Sequence, residues 1–149
     1  MKVSTRVEYG LLALTDIAIH SEMGGTVSSA DIAERQGISQ KYLEQIMLGL
    51  RQGGFVKGMK GSRGGYQLAR SAEKIYLSEI LNALDNSILA DNVSSEDEQP
   101  SEIRESVNVC LWDKLNGYMR RFTEHMSLAD LIKECKNECG SKVEYMYYI

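Results

Sequence analysis

The stretch from residue 28 to residue 51 limits the fold most, because two short helical patterns follow each other across one glycine. Ser28-Ser29-Ala30-Asp31 is typical of a helix start, and Gly37 can end that helix because glycine adopts a left-handed backbone at little cost. Ser39 is a suitable N-cap for a second helix, in which apolar residues recur at helical spacing. This order predicts a helix-turn-helix over 28–51, although a helical hairpin inside an ordinary globular core shows the same pattern.

The polar side chains of this helix pair are of the kinds that contact nucleic acid. The second helix would project its start, where donors, acceptors and planar groups can contact base edges or phosphates. Ser39 would also present the first amides of that helix to a phosphate oxygen. The residues of this segment that are predicted to face DNA are Ser29, Ser39, Gln40, Lys41, Tyr42, Glu44, Gln45 and Arg51.

A glycine-rich turn follows the second helix and lies between two predicted strands, Phe55–Lys57 and Tyr66–Leu68. The hairpin over 55–68 would be a wing, whose glycines let its tip approach a DNA backbone and whose cations can enter a minor groove. A glycine-rich turn can instead hold a nucleotide phosphate, but this one opens no helix and matches neither the P-loop nor the dinucleotide signature. The wing residues predicted to contact DNA are Lys57, Lys60, Arg63 and Gly64.

The charge of the chain is divided unevenly between its halves. The whole chain has a net charge of −4, but residues 1–70 carry +3 and residues 71–149 carry −7. Residues 51–70 contain five bases and no acid. This asymmetry favours a DNA-facing first half. The acidic second half leaves open an alternative, a protein-interaction module that binds a partner protein and not DNA.

The rest of the first half completes a winged domain. Thr5-Arg6-Val7-Glu8 is typical of a capping box, and helical spacing continues to about His20. A further helix is predicted over Ile75–Asp85. We therefore expect a mainly α fold with a small β-hairpin wing, in which residues 1–85 form a winged helix-turn-helix domain.

The second half is predicted to consist of a loop and two helices. Residues 86–101 are polar and acidic, contain the one proline of the chain and predict a flexible loop. Residues 102–149 would form a long helix to about residue 126 and then a short helix and tail. The short helix would begin at Ser127-Leu128-Ala129-Asp130 and end near Gly140.

The long helix carries an apolar stripe that predicts dimerisation. About 24 residues at 1.5 Å each span roughly 36 Å, which exceeds what a small domain needs for its own core. A stripe of that length usually packs against a partner helix, and a helix packed only against its own domain is the alternative. The residues predicted to form the dimer interface are Val107, Leu111, Leu115, Tyr118 and Phe122.

Three groups of residues resemble the Rrf-two family of bacterial transcription regulators. They are the run from Ile32 to Ser39, then Tyr42-Leu43-Glu44-Gln45, and the wing Gly61-Ser62-Arg63-Gly64-Gly65-Tyr66. The likeness is dense over residues 1–85 and looser beyond them. It implies a homodimeric repressor whose paired winged motifs bind a palindromic operator in double-stranded DNA. In the family the start of the recognition helix and the wing tip contact DNA, which carries over to Ser39, Lys41, Tyr42, Glu44, Gln45, Lys60 and Arg63.

The cysteines depart from the pattern of the family's iron–sulfur sensors. Those members carry three closely spaced cysteines before the long helix, whereas residues 85–109 here contain none. Cys110 lies within the helical pattern and is predicted to be a small core residue. Cys135 and Cys139 are four residues apart but have no third ligand nearby in sequence, and Glu8, a ligand position in some relatives, also has a capping role. No metal site or cofactor is therefore expected, and an iron–sulfur cluster is disfavoured.

The end of the chain resembles a cluster-free branch of the family that represses cysteine metabolism. The resemblance rests on Tyr145-Met146-Tyr147-Tyr148-Ile149. That repressor senses through a complex with a cysteine-biosynthesis enzyme, so the resemblance implies such a partner here. A terminal aromatic patch can equally belong to a dimer interface or to the core.

Catalysis and membrane insertion are not expected. The two histidines, His20 and His125, lie at predicted helix ends, and neither has a nucleophile or acid at a recognisable catalytic spacing. No apolar stretch approaches the roughly 20 residues that cross a bilayer, and the first residues lack a secretory signal. An odd number of cysteines argues against a disulfide framework. We expect a cytoplasmic, non-enzymatic protein.

Overall fold

The computed structural model describes residues 2–21, 24–62, 64–91, 99 and 101–147, with side chains to residue 140. Four short helices and a two-stranded hairpin are followed by two longer helices. The elements of the first half are α1 Thr5–His20, α2 Ser29–Gln36, α3 Gln40–Gln52, β1 Val56–Met59, β2 Gly65–Leu68, a 3₁₀ turn Ala72–Lys74 and α4 Leu77–Leu84. The second half contains α5, built from Glu102–Val107, a π-helical turn Asn108–Trp112 and Asp113–His125, and then α6, Leu128–Tyr147.

Serine side chains cap the first three helices, and the caps of α2 and α3 are the predicted ones. The Ser28 hydroxyl accepts from the amide of Asp31 at 3.1 Å, and the Ser39 hydroxyl accepts from the amide of Tyr42 at 3.2 Å. The cap of α1 is Ser4 and not Thr5, because Ser4 has an extended backbone while Thr5 is already helical. Gly37 ends α2 at φ 65°, the left-handed conformation that the sequence predicts.

The hairpin is antiparallel, with Val56 opposite Leu68 and Met59 opposite Gly65. Its strands differ from the predicted ones at their ends, because Phe55 is buried in the core and pairing extends nearer the turn. A single bridge joins Val27 to Tyr66, with N–H to O=C distances of 2.9 and 2.7 Å in the two directions. This bridge ties the segment before α2 to the hairpin, so the wing has a fixed position beside the helix-turn-helix.

One hydrophobic core joins α1 to α4, the hairpin and the start of α6. Tyr76 and Ser127 form an antiparallel bridge, flanked by Leu77 N–H to Met126 O at 2.9 Å and Leu128 N–H to Ile75 O at 2.7 Å. Helix α4 therefore begins at Leu77, two residues later than predicted, because Ile75 is extended and its carbonyl accepts from Leu128 at the start of α6. The most completely buried side chains of this hydrophobic core are Val7, Leu14, Ile17, Ile32, Leu43, Ile46, Met47, Leu50, Ile75, Ile80 and Leu128.

The two C-terminal helices differ from the sequence predictions in detail. The long helix α5 has the predicted extent but contains a π-helical turn. The predicted end of the last helix near Gly140 is wrong, since α6 continues to Tyr147. A glycine permits a helix end but does not impose one, and Gly140 is not among the glycines with positive φ. None of the helices in the described ranges is both long and apolar enough to cross a membrane.

Candidate nucleic-acid interface

Helix α3 presents one polar face to solvent. Leu43, Ile46, Met47 and Leu50 are buried, and this fixes the orientation of the helix on the domain. The side chains of Ser39, Gln40, Lys41, Glu44, Gln45 and Arg51 are exposed, whereas Ser29 in the first turn of α2 is half-buried. These six exposed side chains are accessible to a partner as large as duplex DNA without any rearrangement of the core.

Tyr42 differs from the prediction that it is exposed with the others. It is half-buried and makes an edge-to-face contact with Tyr9 of α1, at 5.8 Å between ring centroids and 73° between planes. Tyr42 therefore marks the side of the α3 face that borders α1. The sequence could not show this, because the burial of Tyr42 depends on a residue of another helix.

The other side of the α3 face borders the hairpin. Arg51 lies beside Lys60 and Tyr66, and together with hairpin glycines they line an open groove between the end of α3 and the wing. Lys57 and Lys60 are exposed. Lys60 of the hairpin and Arg51 of α3 thus line the same groove, an arrangement suited to a phosphate backbone, whereas Lys57 does not line it. Arg63 lies outside the described residues.

The turn of the hairpin requires its glycines. Gly61 has φ 115°, and the amide of Gly64 donates to the carbonyl oxygen of Gly61 at 2.9 Å. A β-carbon at Gly64 would lie 2.8 Å from the carbonyl oxygens of both Met59 and Gly61. The hairpin itself therefore requires glycine at position 64, and the contact of Gly64 with DNA stays a prediction.

A further cation, the guanidinium of Arg6, lies next to α3 and was not predicted from the sequence. A β-carbon on Gly49 would be 3.0 Å from Nη2 of Arg6, so the guanidinium of Arg6 lies against the α3 backbone on its α1 side. The signal in the sequence was the isolated glycine inside a helix, which indicates close approach by another group. Arg6 is exposed and adds positive charge to this edge of the surface.

The buried carboxylate of Asp16 in α1 holds α2 against α1. It thereby also fixes the turn that precedes α3. Asp16 accepts from Arg35 Nε at 2.9 Å and Nη2 at 2.7 Å, and from Gln36 Nε2 at 2.8 Å. Burial by itself raises the pKa of Asp16, but the hydrogen bonds from Arg35 and Gln36 and the Arg35 charge outweigh it. The pKa of Asp16 therefore lies below its ordinary value of 3.8. These three residues were not among the site residues predicted from the sequence.

The candidate metal ligands do not form a metal site in one chain. Cys110 is exposed on the long helix, which corrects its prediction as a core residue. Cys135 and Cys139 line one open groove on α6, and Glu8 is exposed on α1. Within the described residues no group of three or more Cys, His, Asp or Glu side chains could hold a metal ion. In the described part of the chain, Glu8 and the three cysteines are therefore not brought together as the ligand set of an iron–sulfur cluster.

The long helix exposes a broad apolar surface. All five residues predicted to form a dimer interface are exposed, from 43% for Val107 and Leu115 to 63% for Phe122. Ile103, Val109 and Trp112, which the predicted dimer interface did not include, are exposed as well. Contiguous apolar surface of this kind marks an interaction site.

The helix-turn-helix, the polar face of α3 and the basic hairpin beside it define a winged helix-turn-helix DNA-binding protein. Residues 3–134 match the family model described as "Rrf2: Iron-dependent Transcriptional regulator". The chain belongs to the Rrf2 family of transcriptional regulators. The resemblance seen in the sequence is thereby confirmed, and so are the fold class and the assignment to non-enzymatic regulators.

Relatives of known name and solved structure cover almost the whole chain. It is 35% identical over 142 residues to the HTH-type transcriptional regulator IscR of Cereibacter sphaeroides, covering 93% of this chain and 92% of that one. It is 38% identical over 148 residues to Protein rrf2 of Nitratidesulfovibrio vulgaris, covering 94% and 95%. The structure is similar to CymR, the global cysteine regulator of B. subtilis, with TM-score 0.76, 29% identity and coverage of 90% and 98%.

Proposed function

We propose that this chain is a sequence-specific transcriptional repressor that acts in the cytoplasm as a homodimer on an inverted-repeat operator. The observation that carries the proposal is the exposed polar face of α3 next to the basic wing, on a domain whose family binds DNA. The face holds side chains that discriminate bases, and the wing holds side chains that bind any phosphate backbone. Specificity and affinity would thus come from adjacent elements.

Five polar residues at α3 would each have a role that follows from its chemistry. Glu44 can accept from the amino group of cytosine, and Gln45 can form two hydrogen bonds with adenine. Lys41 can donate to guanine or to a phosphate, and Ser39 brings the amides of the α3 N-terminus to a phosphate oxygen. Arg51, Lys57 and Lys60 would hold the phosphate backbone beside the wing.

The homodimer is supported by the apolar surface of α5. Two copies of this helix packed around a two-fold axis would cover the exposed side chains of Val107, Leu111 and Leu115. Two recognition helices related by the same axis would contact two half-sites of opposite direction. The operator would therefore be an inverted repeat.

We further propose that the regulator senses its signal without an iron–sulfur cluster. The arrangement of its cysteines and the similarity to a global cysteine regulator support a role in cysteine or sulfur metabolism, with a cysteine-biosynthesis enzyme as partner. The side chains of 145–149, on which the partner resemblance rests, lie outside the described residues.

An absorption spectrum of the anaerobically purified protein tests the proposal that no iron–sulfur cluster is bound. Bands typical of iron–sulfur clusters would overturn it in favour of a cluster sensor.

The alternative function is a protein-interaction module, which the net charge of −7 in residues 71–149 favours. The two functions differ in what they bind. Selection from a pool of random duplexes with the full chain should enrich an inverted repeat if the proposed function is right. Glu44→Ala should broaden the enriched sequence at particular positions, while Glu73→Ala, which removes an exposed acid elsewhere, should not. A pool without enrichment would overturn the DNA-binding function.

A further inference from the structure

An exposed leucine lies in the middle of the polar face of α3. Leu48 is 47% exposed, whereas Leu43, Ile46, Met47 and Leu50 of the same helix are at most 1% exposed. Leu48 follows Lys41 by seven residues and Gln45 by three, so at 3.6 residues per turn these side chains share one face. The face that offers hydrogen bonds therefore also offers one large apolar group.

Leu48 has no packing role within the described part of the chain. It is neither in the buried core nor among the partly buried apolar residues that pack against that core. A single exposed leucine on a surface needs no explanation. Leu48, however, is flanked on its own helix face by Glu44 and Gln45, and a ligand that covers those two side chains would cover Leu48 as well.

Because the ligand of this face is a DNA major groove in the proposed function, the chemistry of that groove decides what Leu48 can contact. The groove wall carries hydrogen-bonding groups at every base pair, and the C5-methyl of thymine is its apolar group. A leucine gains nothing beside a phosphate and gains by excluding water from a methyl group. We propose that Leu48 is a specificity residue that reads a thymine methyl in each half-site, an inference that rests on the proposed function.

The test removes one methyl group at a time from the DNA. In the enriched operator each thymine is replaced by deoxyuridine, which keeps every hydrogen-bonding group. At one position per half-site, wild-type binding should weaken by about three- to fivefold, the loss expected when one buried methyl is removed. Leu48→Ala should bind the thymine and deoxyuridine operators equally. Leu12→Ala, which shortens an exposed leucine of α1, should keep the wild-type penalty.

The possible outcomes distinguish a failure of the Leu48 proposal from a failure of the proposed function on which it rests. A wild-type protein that enriches no duplex would overturn the proposed function. A wild-type protein that binds its operator but ignores every deoxyuridine would overturn only the role of Leu48, and so would a Leu48→Ala variant that keeps the full penalty. If Leu48→Ala instead changes the oligomeric state of the free protein, Leu48 contacts protein and the assignment to DNA is wrong.

Discussion

Gly10 of α1 lies against Leu84 of α4 so closely that a β-carbon on the glycine would be 2.5 Å from Leu84 Cδ1 and 2.8 Å from Cδ2. Both residues are buried. The two helices therefore pack at a distance that only glycine allows at this position. This packing joins the helix that precedes the helix-turn-helix to the helix that follows the wing.

The substitution Gly10→Ala should destabilise the fold. An alanine in a helix gains roughly 1 kcal/mol over glycine, but overpacking a filled core costs typically about 1–3 kcal/mol. Since Leu84 is held in the core, we expect a net loss of up to about 2 kcal/mol in the free energy of unfolding, measured by urea denaturation.

The matched control is Gly49→Ala, which makes the same change in α3. Its β-carbon would meet Nη2 of Arg6 at 3.0 Å, the far end of an exposed and flexible side chain that can move away. Gly49→Ala should therefore raise the free energy of unfolding by up to about 1 kcal/mol. Equal stabilities of the two variants would contradict the close packing of Gly10 and Leu84.

The buried Asp16 should contribute far more to stability than an exposed aspartate with the same kind of partner. Asp16 and Asp91 accept from an arginine Nη2 at 2.7 and 2.8 Å, but their side chains are 0% and 77% exposed. Asp16→Asn replaces one of the two buried acceptor oxygens by an NH2 donor that faces the donors of Arg35, and should cost on the order of 2–3 kcal/mol. Asp91→Asn should cost less than about 0.5 kcal/mol. Urea denaturation of both variants at pH 7 measures the difference.

The contribution of Asp16 should depend on pH in a defined direction. Because its pKa is lowered in the folded state, its stabilisation is complete above the unfolded value near 4 and is lost as the pH falls through the folded value. The gap in unfolding free energy between wild type and Asp16→Asn should therefore be fully present above about pH 4 and shrink below it. Carboxylates that both proteins share cancel in this comparison. A gap that stays constant from pH 7 to pH 3 would mean that the Asp16 charge is not what stabilises the contact.

The parts of the fold that were predictable from the sequence are those fixed by near neighbours. The caps at Ser28 and Ser39 and the left-handed turn at Gly37 depend on residues within one helical turn. The bridges of Val27 with Tyr66 and of Tyr76 with Ser127 join segments about 40 and 50 residues apart. No local pattern contains such pairings, so the start of α4 was misplaced.

The candidate site was predictable in outline for the same reason. Helical spacing predicted which side chains of α3 are exposed, since it depends on α3 alone. The half-burial of Tyr42 by Tyr9 and the approach of Arg6 to Gly49 depend on how α1 crosses α3. The exposure of Cys110 depends on what α5 packs against. In the single chain, α5 leaves the side chain of Cys110 exposed.

The wing is expected to bind phosphate, and salt dependence measures this directly. In a plot of the logarithm of affinity against the logarithm of salt concentration, each lost phosphate contact lowers the slope by about 0.9. The double change Lys57→Ala and Lys60→Ala should therefore flatten the plot by up to about 1.8 per subunit and weaken binding to specific and random duplexes alike. Lys133→Ala, an exposed lysine of α6, should leave the slope unchanged. An unaltered slope in the double variant would refute the role of these wing lysines.

The dimer prediction joins the apolar surface of α5 to operator affinity. Leu111 and Leu115 are 45% and 43% exposed in the single chain, so replacing both by Asp leaves the core intact. In a dimer the same change would bury unpaired carboxylates, which should dissociate the two subunits. The control Leu12→Asp changes a 36% exposed leucine of α1 and should leave the dimer unaffected.

The monomeric variant should fold and still bind the operator poorly. Its two half-sites would be bound independently, without the roughly 10²–10⁴-fold gain that a linked second contact gives. Analytical ultracentrifugation of wild type, Leu12→Asp and the Leu111→Asp and Leu115→Asp double variant measures the first step, and a gel shift on the enriched operator measures the second. Circular dichroism establishes that the double variant keeps its helices. A monomeric wild type, or a monomeric variant with wild-type affinity, would show that the inverted repeat is not read by a dimer held together through α5.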